Sequence, residues 1–373
     1  MTPVAAPPLP TQKTPGWEFT DLSGLDIDAY ASAAAELTGV DGAAEDGRPL
    51  VMPLREAIER FPRLVEPYLG SLVPADDPFV ARNAAAWQQG LFVHVPAGAR
   101  IEQPLRVTVR QTEAGSALHW RTLVVLEENA EADVWEVYES ADPDLEALFN
   151  GVVELVVGPG ARLGYACQQQ LSERSWVFAS QRAEVEADGS LDWIALGLGS
   201  ASGKVRMETK LAGKGASARV TGGYAGSGTQ HLDFDTTQEH AAEHTTSDLA
   251  FRGVLNGTAT AVWRGVIRVD PGAQQTDAFQ ECRNLLLSKQ AHADAIPGLE
   301  IEADDVRCTH AAAIAQVDRD QLFYLRARGL DEPAARGLIV DGFLQALVAR
   351  LPEGPVRDAV SDALERRLQE ILA

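Results

Sequence analysis

Three groups of residues in this chain have the types and spacing to do chemistry, and each makes a demand on the backbone. The first is "HAAEH", in which His240, Glu243 and His244 fit the H-x-x-E-H pattern of inverted zinc proteases. Two zinc-ligating histidines at that spacing need a helix, which stacks them one turn apart on one face. The surrounding "DFDTTQEHAAEHTTSDLAF" is rich in Thr and Asp and poor in helix formers beyond the Ala pair. In a strand the two rings would stand ~13 Å apart, too far for one zinc ion. The pattern therefore gives no support to zinc hydrolysis.

The second group is carboxylate pairs, the equipment of acid–base catalysis on polysaccharides. Asp233 and Asp235 are two apart and share a face if their segment is a strand. Adjacent Asp304 and Asp305 share a face only in a turn. Solvated turn carboxylates are the plainer reading of both pairs. The third group is "DDVRCTH", where Cys308 and His310 are also two apart. A thiolate and an imidazole on one strand face suit iron, zinc or copper(I), but two ligands are not a site. Taken alone, a C-x-H pair is more often core packing beside a satisfied histidine. No G-x-S-x-G is present, and "GSGTQ" and "GKGAS" lack the spacing and Lys-Ser/Thr of a P-loop, so no ATP site is expected in this chain.

The elements that would position these residues are mostly strands. Leu105, Val107 and Val109 alternate with Arg106, Thr108 and Arg110. Val205, Met207, Thr209 and Leu211 alternate with Arg206, Glu208 and Lys210. Each run has one apolar and one wet face, as a half-buried strand requires. A Gly or Asn followed by a small residue recurs at Gly98, Asn129, Gly160, Gly189 and Gly215, with a further pair at Gly257-Thr258. Gly and Asn tolerate positive φ and turn the chain sharply. The recurrence of these turns at steps of 31, 31, 29 and 26 residues fits a stacked solenoid with a drifting period, although a sandwich or barrel shares the alternation and the Gly turns.

Flanking regions read differently. Residues 1–16, rich in Pro and Ala, read as a flexible tail, and residues 17–90 as a mainly helical region. Within it Leu54, Ile58, Phe61, Leu64 and Val65 recur at spacings of three and four, with Pro62 as an interruption. The β-core runs over 91–317, and residues 318–373 return to helix. There Ile339, Phe343 and Leu347 form one ladder beside Val340, Leu344 and Val348, with Asp331 as the N-cap and Gly329 closing the helix before it. Val356, Val360, Leu364, Leu368 and Leu372 mark a last amphipathic helix, packed on the protein's own body or offered in part to a partner.

The 373 residues carry 54 Asp and Glu against 32 Lys and Arg, a net charge of -22, which excludes nucleic acid and anionic membrane as favoured partners. The start has no signal-peptide pattern and no stretch is apolar enough to span a bilayer. Three cysteines, Cys167, Cys282 and Cys308, form no CxxC pair, which points to free thiols and a reducing, cytoplasmic compartment.

Five stretches then resemble one family. "LEIEADDVRCTH" (299–310) and "DRDQLFYLRARGL" (318–330) resemble the C-terminal block of the SufB/SufD family of iron–sulfur cluster assembly proteins. "HAAEHTTSD" (240–248) resembles that family's H-x-x-x-H-T-T-S segment, and "NAAAWQQGLFVHVPAGA" (83–99) its entry into the β-region. "GWEFTDL" (16–22) resembles the N-terminal signature of the SufD branch. The resemblance implies a mainly β fold, a right-handed parallel β-helix flanked by N-terminal and C-terminal α-helical segments. It implies a scaffold without catalysis of its own, paired with SufB through the β-helix and with the SufC ATPase through the C-terminal helices. It also implies a transient iron–sulfur cluster at the SufB interface, with His310 at the position of a SufD cluster ligand and Cys308 at a second family position. Where SufB carries a cluster-accepting cysteine, "LLLSKQAHADAIP" (285–297) has Ala291, which favours the SufD branch. Ala311 stands where SufD usually has Gly after the histidine. A homodimer in isolation and a carbohydrate-active parallel β-helix enzyme using Asp233 and Asp235 are the competing expectations.

Overall fold

In a computed structural model, residues 7–40 and 48–372 are described. The first six residues of the expected tail therefore lie outside the described residues. In chain order the first strands are β1 (Ala31–Ser32), β2 (Glu36–Thr38), β3 (Leu50–Pro53), β4 (Gln89–Val95), β5 (Leu105–Gln111), β6 (Ser116–Leu126), β7 (Glu131–Ser140), β8 (Ala147–Val157) and β9 (Arg162–Gln170). They continue with β10 (Trp176–Val185), β11 (Ser190–Gly197), β12 (Ser202–Leu211), β13 (Ser217–Gly226), β14 (His231–His240), β15 (Thr246–Leu255), β16 (Thr260–Val269), β17 (Thr276–Leu286), β18 (His292–Ile301) and β19 (Val306–Gln316).

From β4 onward, even-numbered strands stack in one parallel sheet and odd-numbered strands in a second, so each coil contributes one strand to each. Eight such coils make a β-solenoid. Coil length varies: Trp176 takes Ser202 as its register partner in the next coil, whereas Thr260 takes the more distant His292. Inward residues of every coil stack on the next. One hydrophobic core runs the length of the lumen, from Leu91 and Val107 to Trp263 and Cys282. Glycines make room for its rings: a Cβ on Gly222 would come within 2.3 Å of the Phe251 ring.

The turns explain the sequence repeat. Gly98, Asn129, Gly160, Asp188, Gly215, His244 and Gln275 all have positive φ at the corner from the even to the odd sheet. Each donates its N–H to a carbonyl of the next coil: Asn129 to Pro159, Asp188 to Lys214, His244 to Gln274. Gly189 follows the left-handed residue, and Gly257 belongs to the opposite corner, after β15. The Gly/Asn pattern missed His244 and Gln275, because a ladder of inter-coil bonds holds non-glycine residues in a conformation that costs them ~1–2 kcal/mol.

The two ends differ. At the N-terminal end β3 pairs antiparallel with β4 and β2 antiparallel with β5, closing both sheet edges. Ala35, Leu37 and Val40 plug the core there. Helices α1 (Leu54–Arg60) and α2 (Pro62–Val65) cover the outer face of the first coils through Leu54, Ala57 and Val65, with Pro62 at the break between them. Together with α3 (Pro78–Ala86) they are the α-helices among the described residues of 17–90, where helix is a minority. Much of the remainder is a strap, Leu9–Tyr30, lying on the even sheet, and tertiary contacts rather than helix propensity set its path.

After β19 come α4 (Arg319–Arg326), α5 (Glu332–Val348) and α6 (Pro355–Leu372). Asp331 accepts from Ala334 N at 2.9 Å and caps α5, and Gly329 follows α4 with φ 94°. The apolar stripes of α5 and α6 pack on the outer face of the odd sheet. Val340, Leu344, Leu347, Val360, Leu364 and Leu368 meet Val137, Ile194, Leu196 and Val254 there. Arg367, almost fully buried, fastens α6 by bonding Ala225 O at 3.1 Å and Gln230 Oε1 at 2.6 Å. At the C-terminal end of the solenoid nothing pairs with the outer edge of β18 or β19 among the described residues.

Candidate functional site at the open end of the solenoid

On β17 the lumen side carries Ala278, Gln280, Cys282 and Asn284, all buried. Their register partners on β19 are Cys308, His310, Ala312 and Ile314, which therefore face the same lumen one coil further out. Among the described residues no further coil stacks on them, so positions that the alternation assigns to a core stay wet. His310 is exposed and Cys308 half-buried. The lumen face of β18 continues the surface: Leu299 and Ile301 are 37% and 42% exposed, beside Ile314 at 47%. The open end is thus an apolar rim around one imidazole and one thiol, bounded by two unpaired parallel edges.

His310 makes no hydrogen bond within the chain among the described residues. Burial, with Asp277 nearby, pushes the Cys308 thiol up. Directly beneath His310 lies fully buried Gln280, whose Nε2 donates to Gly265 O at 3.2 Å and to Gly298 O at 3.0 Å, bracing β18 across the lumen. Ala311 faces outward with Glu281 as its register partner and has no positive φ, so alanine is unstrained there. Ala291 is buried in the loop between β17 and β18. Among the described residues no three His, Cys, Asp or Glu side chains gather to hold a metal ion. Cys308 and His310 lie two rises of ~3.3 Å apart on one face and supply at most part of a ligand set.

The other candidates are placed elsewhere. Cys167 and Cys282 are buried in the lumen with their thiols pushed up to about 12, and remain protonated. Cys167 stacks on fully buried Glu136, whose carboxyl group accepts from Trp120 Nε1, Thr122 Oγ1 and Tyr165 OH. His240 ends β14 and His244 sits in the following turn, so neither lies on a helix. The His240 ring meets Thr245 Oγ1 at 2.7 Å and Ser247 Oγ at 2.8 Å, and burial lowers its pKa to about 4. It is a neutral, satisfied corner-post. Asp233 and Asp235 do share the outer face of β14, but they close on Lys204 at 2.9 and 2.7 Å. Thr20 of the strap donates to Asp233, which is itself buried. A pair covered by the strap and held on Lys204 does not favour the carbohydrate-active reading. Asp304 and Asp305 are exposed in the loop between β18 and β19.

Sequence reasoning missed the apolar rim and Gln280. One signal was present: Pro297 sits mid-strand in β18, and proline in a sheet is confined to edges. It also missed Phe323 and Tyr324 on α4, 74% and 54% exposed, the second of which lines a shallow pocket with Leu338 of α5.

Residues 109–343 match the family described as SUF system FeS cluster assembly, SufBD core domain, and residues 43–107 the SufBD protein N-terminal region. Iron–sulfur cluster assembly SufBD family proteins of Staphylococcus haemolyticus and Staphylococcus epidermidis are each 28% identical over 298 residues, covering 79% of this chain. A protein of the same description from Staphylococcus aureus is equally similar. The chain spans 64% of the length of these relatives.

Proposed function

The chain belongs to the SufB/SufD family of the SUF iron–sulfur cluster assembly system, and from that membership we propose that it is a SufD-like scaffold subunit without catalysis of its own. Its open end pairs with the β-helix of SufB, and His310, seconded by Cys308, offers a ligand to a nascent cluster that is the assembly's cargo. Its C-terminal helices dock the SufC ATPase. The single observation that carries this reading is the difference between the two ends of the solenoid. One is capped by antiparallel strands and a plug; the other leaves Leu299, Ile301 and Ile314 uncovered around His310. A solenoid end without a cap needs a partner to cover its core and its edges. A parallel coil of similar cross-section fits both at once.

Ligand chemistry supports the same reading. An imidazole with no hydrogen-bond partner among the described residues can bind iron, and an incomplete ligand set completed across a subunit boundary can release what it holds. The exposed Phe323 and Tyr324 of α4, with Leu338 of α5, support docking of a further subunit. Ala291 in place of the SufB cysteine supports the SufD assignment. No helix among the described residues is long and apolar enough to cross a membrane, which together with three free cysteines supports the cytoplasm as the working compartment.

Co-expression with SufB and SufC tests the proposal. One stable assembly of the three chains is expected on purification. Recovery of this chain alone, with both partners folded in the same lysate, refutes it. The same rim would also support pairing of two copies in isolation, and light scattering of the purified chain separates that state from a monomer.

A further inference from the structure

The layers that clamp the solenoid from outside both stop one coil short of its open end. On the even sheet the strap crosses six strands. It touches Ala117 of β6, Leu148 of β8 and Phe178 of β10 through an apolar cluster that includes Trp17. The Trp17 ring stacks on Phe79 at 5.3 Å and lies over Lys204 and Arg206 of β12. Thr20 reaches Asp233 of β14, and Glu18 pairs with Arg264 of β16 at 2.8 Å. No strap residue bonds to β18 among the described residues.

On the odd sheet, α5 and α6 cover Val137 of β7 through Leu285 of β17. Their last tie is Arg336 Nη1 to Leu287 O at 3.0 Å, just beyond β17. β19 is outside that layer, and Val317, which follows it, is the first residue to rejoin. The terminal strands are attached by their ladders to β16 and β17, by Ala293, Val306 and Cys308 packing on the core beneath, and by the Gln280 brace, the Arg268–Glu300 pair at 2.9 Å and the loop bonds of Asp305.

We propose that β18 and β19 form a separate opening unit, which comes away from the solenoid while the clamped coils stay folded. In a quasi-one-dimensional stack each coil is held by its neighbours, so an end coil with one neighbour and no outer layer opens first. The strap and the helices convert the coils beneath them into one cooperative block, and the boundary falls between β16–β17 and β18–β19. The coil that carries Cys308 and His310 can therefore reorient without loss of the scaffold. This follows from the fold alone and stands or falls separately from the partner assignment above.

Hydrogen exchange of the full-length chain, at a concentration where light scattering gives a monomer, decides it. Amides of β18 and β19 are expected to exchange on the order of 100-fold faster than those of β10–β16 at equal intrinsic rates. Trp17→Ala, or Glu18→Gln if the first variant unfolds, should speed exchange in β12–β16 by about tenfold or more and leave β18 and β19 at their original rates. Protection in the terminal strands equal to that of β10–β16 overturns the proposal. So does a strap variant that lowers protection in all coils by one common factor.

Discussion

Replacing Ile301 and Ile314 together by Asp should abolish pairing at the open end while leaving the chain folded. The two side chains are 42% and 47% exposed, so folding has covered only about half of each. Full burial of an isoleucine contributes ~1.5–3 kcal/mol. Covering the remaining half of both on pairing is therefore worth ~1.3–2.7 kcal/mol. The variant loses that gain and must also strip water from two carboxylates, which costs several kcal/mol per ion when no cation meets them. A loss of at least ~3 kcal/mol is a weakening of more than ~100-fold in Kd. Titration calorimetry of the purified chain into SufB measures it. Circular dichroism and exchange protection in β4–β16 should stay as in the wild type, since both sites face solvent in the free chain. A Kd within threefold of the wild-type value, with the fold intact, would refute the claim that this rim is the pairing surface.

Further outcomes follow from individual side chains. His310→Ala removes an exposed ring with no hydrogen-bond partner among the described residues, so assembly with SufB and SufC should persist while cluster yield, read by iron and sulfide content, falls. Unchanged yield removes the ligand role. Phe323→Ala with Tyr324→Ala trims exposed α4 rings and should weaken SufC binding without unfolding. It is a cleaner test than deleting 331–373, which would strip the apolar cover from the odd sheet. Buried His240 is neutral in the fold because its pKa falls from 6.5 to about 4, so its contribution to stability is complete above pH ~6.5 and is lost as the pH falls toward 4. The full effect is on the order of 3 kcal/mol. Urea unfolding at pH 7.5 and 4.5 should show the wild type losing ~2 kcal/mol more than His240→Gln, and equal losses would contradict the assignment.

Much of this architecture was written in local pattern. The alternation at Leu105–Arg110 is the inward and outward face of β5, and the Asp331 cap and the Gly329 stop mark the ends they should. Such features depend only on a residue and its near neighbours in the chain, so they survive in the sequence. The positive-φ corners were legible where Gly or Asn occupies them, and hidden at His244 and Gln275, where bonds from the next coil hold the conformation.

The candidate site was legible as a pair of residue types and not as a place. Cys308 and His310 alternate as any lumen-facing pair does, and β19 has the same period as β17, whose equivalents are buried. Whether such a face is core or surface is decided by the presence of the next coil, which a strand's own residues do not encode. The same holds for Asp233 and Asp235, which share a strand face as their spacing requires. They are silenced by Lys204 on the neighbouring strand and by Thr20 from the far N-terminal end of the chain. The sequence thus determined which residues point together. The stacking of coils, the reach of the strap and the end of the solenoid decided which of them meet water, because burial is a property of the whole packed chain.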